Sequence, residues 1–187
     1  MKHIMISIRP EWVTKILNRE KIFEIRKSMP KELLKGKECI VEIYCTKGKP
    51  YVYRIDDDDE FELDNKLRYI EGADMFVKEY NALNGKVVAR WHLKQVDIEP
   101  YCDLSYPTPS YDGDTSMCEC GMGYWLTEND CNKTCVCYED IVKYGNEKTI
   151  YLLHIEDLHI YDTPKELADF GLKRPPQSWC YVEEGEE

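Results

Sequence analysis

From His3 to Ile8 the chain alternates around Ile4, Ile6 and Ile8, and this period of two predicts a strand. Pro10 follows where a helix best tolerates it, and Trp12, Val13, Ile16 and Leu17 then recur at helical spacing, so a helix should run from Pro10 to near Asn18. From Ile22 the period returns to two. Phe23 and Ile25 share one face of this second strand, and Glu24 and Arg26 share the other with Ile22. Glu38 to Cys45 predicts a third strand whose Cys39, Val41, Ile43 and Cys45 face the same way, which makes those two thiols small core hydrophobes. Lys86 to Lys94 predicts another, with Val87, Ala89, Trp91 and Leu93 on its apolar side.

Helical signals are fewer. Lys66 to Asn81 carries Leu67, Ile70, Met75 and Phe76 at inward positions and ends at the turn signal Asn84-Gly85. After Pro100 the chain reads as loop, punctuated by Tyr106-Pro107-Thr108-Pro109 and Asp112-Gly113-Asp114, until Tyr138 to Tyr144 predicts a short helix ended by Gly145. Thr149 to Asp162 predicts one long strand or a bent pair. Thr163 and Glu166 are spaced as a capping box, with Pro164 at the first helical position, so Lys165 to Phe170 should be helical with Gly171 as its stop.

A chain of 187 residues is of a size that one core can serve, so a single α+β domain over 1–187 is expected, with insertions at about 48–83 and 101–137. No apolar run approaches the roughly 20 residues of a membrane span, and Met1-Lys2-His3-Ile4 leads into the first strand without a signal-peptide core; a soluble, cytoplasmic protein is the expectation.

Charge is unevenly divided. Residues 1–54 hold 13 Lys/Arg against 6 Asp/Glu, whereas residues 55–187 hold 12 against 30, leaving a net charge of −11. Such an acidic chain disfavours coating of bulk duplex DNA. A basic pocket inside it still suits a short strand or one nucleotide, because exposed charges are screened beyond a Debye length of about 8 Å. The run Asp56-Asp57-Asp58-Asp59-Glu60 lacks the glycine-spaced ligands of a calcium loop and reads as a solvated turn.

Nine cysteines are present, five of them at Cys118, Cys120, Cys131, Cys135 and Cys137. Four thiolates suit a structural zinc, but these spacings are not paired C-x-x-C knuckles, and reduced thiols in a compact loop are the expectation, with no cofactor. His3, His92, His154 and His159 stand at no ligand spacing and read as barrel-face or surface residues. No phosphate-loop, dinucleotide-turn, nucleophile-elbow or H-E-x-x-H motif is present. Chemistry therefore rests on the opening segment, which gathers Arg9, Trp12, Lys21, Glu24, Arg26 and Lys27.

The stretch Arg19-Glu20-Lys21-Ile22-Phe23-Glu24-Ile25-Arg26 resembles the G-x-K-x-x-E-x-R motif of ASCH-domain proteins, members of the PUA-like superfamily. Lys21, Glu24 and Arg26 match, and Arg19 stands where the family has glycine. Asn84-Gly85-Lys86 through Trp91 is similar to the family's glycine-led central strand. Asp169-Phe170-Gly171, with Arg174-Pro175-Pro176-Gln177-Ser178-Trp179-Cys180-Tyr181-Val182, is similar to the closing segment of its phage and prophage members. The resemblance implies a small β-barrel flanked by short helices. It also implies a cleft for RNA or a modified base, where Arg9, Lys21, Arg26 and Lys27 would meet phosphate or base edges and Trp12 or Trp179 would stack. Glu24 would accept a base amino proton or orient Arg26.

An enzymatic alternative follows from the same resemblance. Some small ASCH-like members are amidohydrolases that remove the acetyl group of N4-acetylcytidine with a lysine at the position of Lys21 and a threonine three residues on; here that threonine position holds Glu24. Lys21 and Glu24 would then be the catalytic candidates. The bland alternative is a surface ion pair worth about 0–1 kcal/mol.

Overall fold

The computed structural model describes residues 1–47, 83–103 and 122–183. The acidic run at 56–60, the helix expected at 66–81, Cys118, Cys120 and most of both expected insertions lie outside the described residues.

In chain order the elements are β1 (Lys2–Ile8), α1 (Pro10–Leu17), β2 (Phe23–Arg26), β3 (Cys39–Cys45), β4 (Val87–Leu93), β5 (Val96–Glu99), β6 (Cys102–Asp103) and β7 (Met122–Gly123). They continue with α2 (Glu128–Thr134), α3 (Tyr138–Gly145), β8 (Ile150–His154), β9 (Glu156–Lys165) and β10 (Trp179–Val182). Short 3-10 turns lie at Leu33–Lys35 and Leu167–Phe170. The architecture is α+β, with mostly antiparallel sheets and few helices. Among the described residues no pairing closes a sheet into a barrel.

The chain divides into two units. The first takes Met1–Arg19, Cys39–His92 and Asp157–Glu187. Its sheet runs β10-β1-β3-β4-β9, with β1 parallel to β3 and antiparallel to β10. The register sets Ile4 beside Val41 and Ile6 beside Ile43, and all four are fully buried, as period-two alternation requires of an inward face. Cys39 and Cys45 are also fully buried, and burial pushes both thiols up to about 12, so they are inert packing groups. On the other face Met5, Tyr44, Val87, Tyr161 and Phe170 form a second core.

The second unit takes Glu20–Glu38 and Leu93–Glu156. Its sheet runs β2-β8-β5, antiparallel throughout, with β6-β7 as a separate pair. Phe23, Ile25, Ile150 and Leu152 from this sheet pack with Tyr124, Leu126, Cys131 and Ile141. The expected loop before Tyr138 is in part helical. Thr127 caps α2 by accepting from Asp130 N–H at 3.1 Å while the Asp130 carboxylate accepts from Thr127 N–H at 3.0 Å.

Two local readings shift, and one of two alternatives is settled. Asn146, not Gly145, takes the left-handed conformation after α3. Residues 149–162 resolve as the bent pair β8 and β9. Strand β9 continues through Lys165, so the capping box moves to Glu166 and Asp169 ahead of a short 3-10 turn; Gly171 still ends it, at φ 72°.

Candidate functional site

Helix α1 ends at Leu17, Asn18 caps it, and Arg19 then turns the chain with φ 62°. Only glycine enters that left-handed region without steric cost, so Arg19 holds a conformation in which glycine would be unstrained. Beyond it, Ile22 N–H donates to the Lys133 carbonyl and Ile155 N–H to the Ile22 carbonyl, which fixes the entry into β2.

This entry brings Lys21, Glu24 and Arg26 together. Lys21 Nζ stands 3.5 Å from Glu24 Oε2, and Arg26 Nη2 stands 3.0 Å from Glu24 Oε1, so one carboxylate spans both cations. Lys21 Nζ also donates to the Thr134 carbonyl at 2.8 Å. Where the resemblance implied an open cleft, the three side chains are buried: relative exposure is 2% for Lys21, 6% for Glu24 and 8% for Arg26. Strand β2 is buried on both faces, and alternation alone cannot tell a covered polar face from a wet one. A surface ion pair is excluded for the same reason.

Burial pushes the Lys21 amine below its usual range, against the opposing pull of the Glu24 carboxylate and the Cys135 thiol, and with help from Arg26. Tyr144, on α3, is partly exposed and feels both Arg26 and Glu24; the partial burial of its ring pushes its phenol up, Arg26 acts the other way and Glu24 adds to the rise. Lys27 is exposed and lies with its Nζ 4.7 Å from the centre of the Tyr144 ring, a cation–π arrangement at the rim of the cluster. Thr134, Cys135 and Tyr144 were not among the candidates read from sequence. They lie more than 110 residues from Lys21 and carry no local signal linking them to it.

The remaining candidates belong to the first unit. Arg9 is exposed and stands 3.8 Å from Glu11, and Trp12 is half-buried on α1. Trp179 is half-buried on β10, edge-on to the exposed ring of Tyr181 at 5.7 Å.

Two polar groupings went unread in the histidines. His3 is buried 3.3 Å from Glu42, whose other oxygen accepts from the Tyr161 hydroxyl at 2.6 Å. His154 Nε2 meets Asp97 at 2.6 Å and its ring stacks 4.3 Å from Phe23. Of the cysteine cluster, Cys131 is buried, Cys135 is half-buried at the end of α2 and Cys137 is exposed ahead of α3. Among the described residues no group of three or more His, Cys, Asp or Glu side chains is placed to hold a metal ion, and no helix is long and apolar enough to cross a membrane.

No protein-family model matches the sequence, and no curated protein matches it. Among solved structures the chain is similar to the ASCH protein of Zymomonas mobilis, with a TM-score of 0.56 at 14% identity over 98% of this chain and 89% of that one. A point variant of that protein gives a TM-score of 0.55 at 14% identity, with the same coverage. The fold is the ASCH fold. At such identity the ASCH likeness concerns backbone arrangement, and residue roles must be argued from the side chains above.

Proposed function

We propose that this ASCH-fold chain binds RNA or a modified nucleotide through the Lys21–Glu24–Arg26 cluster. The observation that carries the reading is the convergence of two buried cations on one carboxylate in a chain with the ASCH fold. A buried ionic cluster held without added function is seldom favoured over apolar packing, because desolvation offsets most of the Coulomb gain. Lys27, exposed beside Tyr144 in the same unit as the cluster, would add a phosphate contact. The reading takes the chain as one PUA-like, barrel-type domain of the phage or prophage kind, acting in the cytoplasm without a cofactor; the closing segment Asp169 to Val182 supports that subgroup.

A second reading is favoured by one observation. An amine whose pKa is lowered by burial is more readily unprotonated near neutral pH than an ordinary lysine and so freer to accept a proton, which suits deacylation of N4-acetylcytidine by Lys21 with Glu24 as its partner. Fluorescence anisotropy with short RNAs and a chromatographic assay on N4-acetylcytidine separate the two. Lys21→Met and Arg26→Gln, each checked for folding by circular dichroism, should weaken RNA binding at least about tenfold, a loss of about 1.4 kcal/mol. Equal affinity in wild type and both variants rejects the assigned site, and release of cytidine that depends on Lys21 establishes the enzyme instead.

A further inference from the structure

Glu24 occupies the centre of the cluster, with one oxygen toward Lys21 Nζ and the other toward Arg26 Nη2. A phosphate group offers the same two acceptor positions with more charge. Arg26 is paired opposite Tyr151 in the β2–β8 ladder, and the Lys21 amine is anchored by its bond to the Thr134 carbonyl, so both donors are held toward Glu24. We propose that this is a phosphate site occupied by the chain's own Glu24 carboxylate, and that a phosphate-bearing nucleotide takes the acceptor positions facing Lys21 and Arg26. The inference rests on the nucleotide-binding reading and names the part of the nucleotide that the cluster recognises.

Tyr144 and Lys27 are exposed beside the cluster, and a nucleotide would enter past them. Among the described residues, the charged and titratable groups acting on Lys21 include Glu24 and Arg26 from β2 and Cys135 from the end of α2, with Tyr144 from α3 facing the other two. Adding an anion to this set favours the protonated amine, so phosphate binding should draw a proton onto Lys21. Because Glu24 competes for the same donors, removing its charge should tighten phosphate binding. A residue that accepted a base amino proton would have the opposite effect.

Isothermal titration calorimetry on the full chain tests this with uridine, uridine 5′-monophosphate and the dinucleotide UpU, each in two buffers of different ionisation enthalpy. Both phosphate-bearing probes should bind more tightly than uridine, with proton uptake, and Glu24→Gln should bind them about ten- to a hundredfold more tightly, the worth of one charge-assisted hydrogen bond. Lys21→Met should abolish the preference over uridine and the proton uptake together, and it carries the test should Glu24→Gln not fold. The relative affinity of the monophosphate and UpU distinguishes a terminal phosphate from a strand linkage. Uridine binding as tightly as its monophosphate, or weaker phosphate binding by Glu24→Gln, overturns this inference alone. Failure of every probe to bind overturns it together with the nucleotide reading.

Discussion

Glu99 gives a direct test of how the second unit handles charge. It ends β5 opposite Ile150, and burial, reinforced by the carboxylates of Asp130 and Asp97, pushes its carboxyl up from 4.5 to about 7. The folded chain therefore holds this proton to higher pH than the unfolded chain does. Between about pH 4.5 and 7 the native state binds more protons, so stability falls as pH rises through that window and stays reduced above it. A rise of about 2.5 at about 1.36 kcal/mol each would set an upper bound of about 3.4 kcal/mol, and partial exposure of Glu99 cuts this to about 1 kcal/mol. Glu99→Gln keeps the shape and removes the charge. It should stabilise the chain by about 1 kcal/mol at about pH 8, a gain of about 2–4 °C in Tm, and change little near pH 4. Urea unfolding of both proteins at the two pH values measures this. A difference of the same size at both, or a loss at the higher pH, refutes the electrostatic account of the site.

Two further substitutions probe the backbone. Gly145→Ala would drive a Cβ into the hydroxyl of Tyr124, which is fully buried and donates to the Lys148 carbonyl at 2.6 Å; the expected cost is about 1–3 kcal/mol in thermal unfolding, and a neutral result would show that the tyrosine can withdraw. Arg19→Gly relieves a left-handed backbone at the expense of a more flexible unfolded chain, so a net gain of about 0.5–1 kcal/mol is expected by urea unfolding; a loss would mean that the arginine side chain holds the turn.

What could be read in the sequence was local. Alternation in β1 and β3, Pro10 at the first helical position and the apolar stripe of α1 are decided within a few residues of each other, and each stands where the pattern put it. The same holds for Lys21, Glu24 and Arg26, which one strand and its entry bring together whatever lies above them. Where two local signals competed, register decided. Thr163 and Glu166 had the spacing of a capping box, but β9 claimed residues through Lys165 and left the cap to Glu166 and Asp169. Helix α2 carries its own start signal in Thr127 and Asp130, whose capping box lies within a segment otherwise marked by loop-like spacing.

What escaped was set by chain returning from afar. Thr134, Cys135 and Tyr144 reach the cluster from α2 and α3, and no spacing near Lys21 announces them. Their arrival changes the chemistry, because a lysine in water keeps its proton at neutral pH whereas one that is 2% exposed holds it less firmly. Periodicity assigns a residue to a face but carries no information about what covers that face. The burial that lowers the Lys21 amine is also what makes Glu24 a competitor rather than a bystander: in low dielectric two cations can be satisfied by the internal carboxylate or by an incoming phosphate, and the balance between those anions decides whether the cluster acts as a binding site or as a structural one.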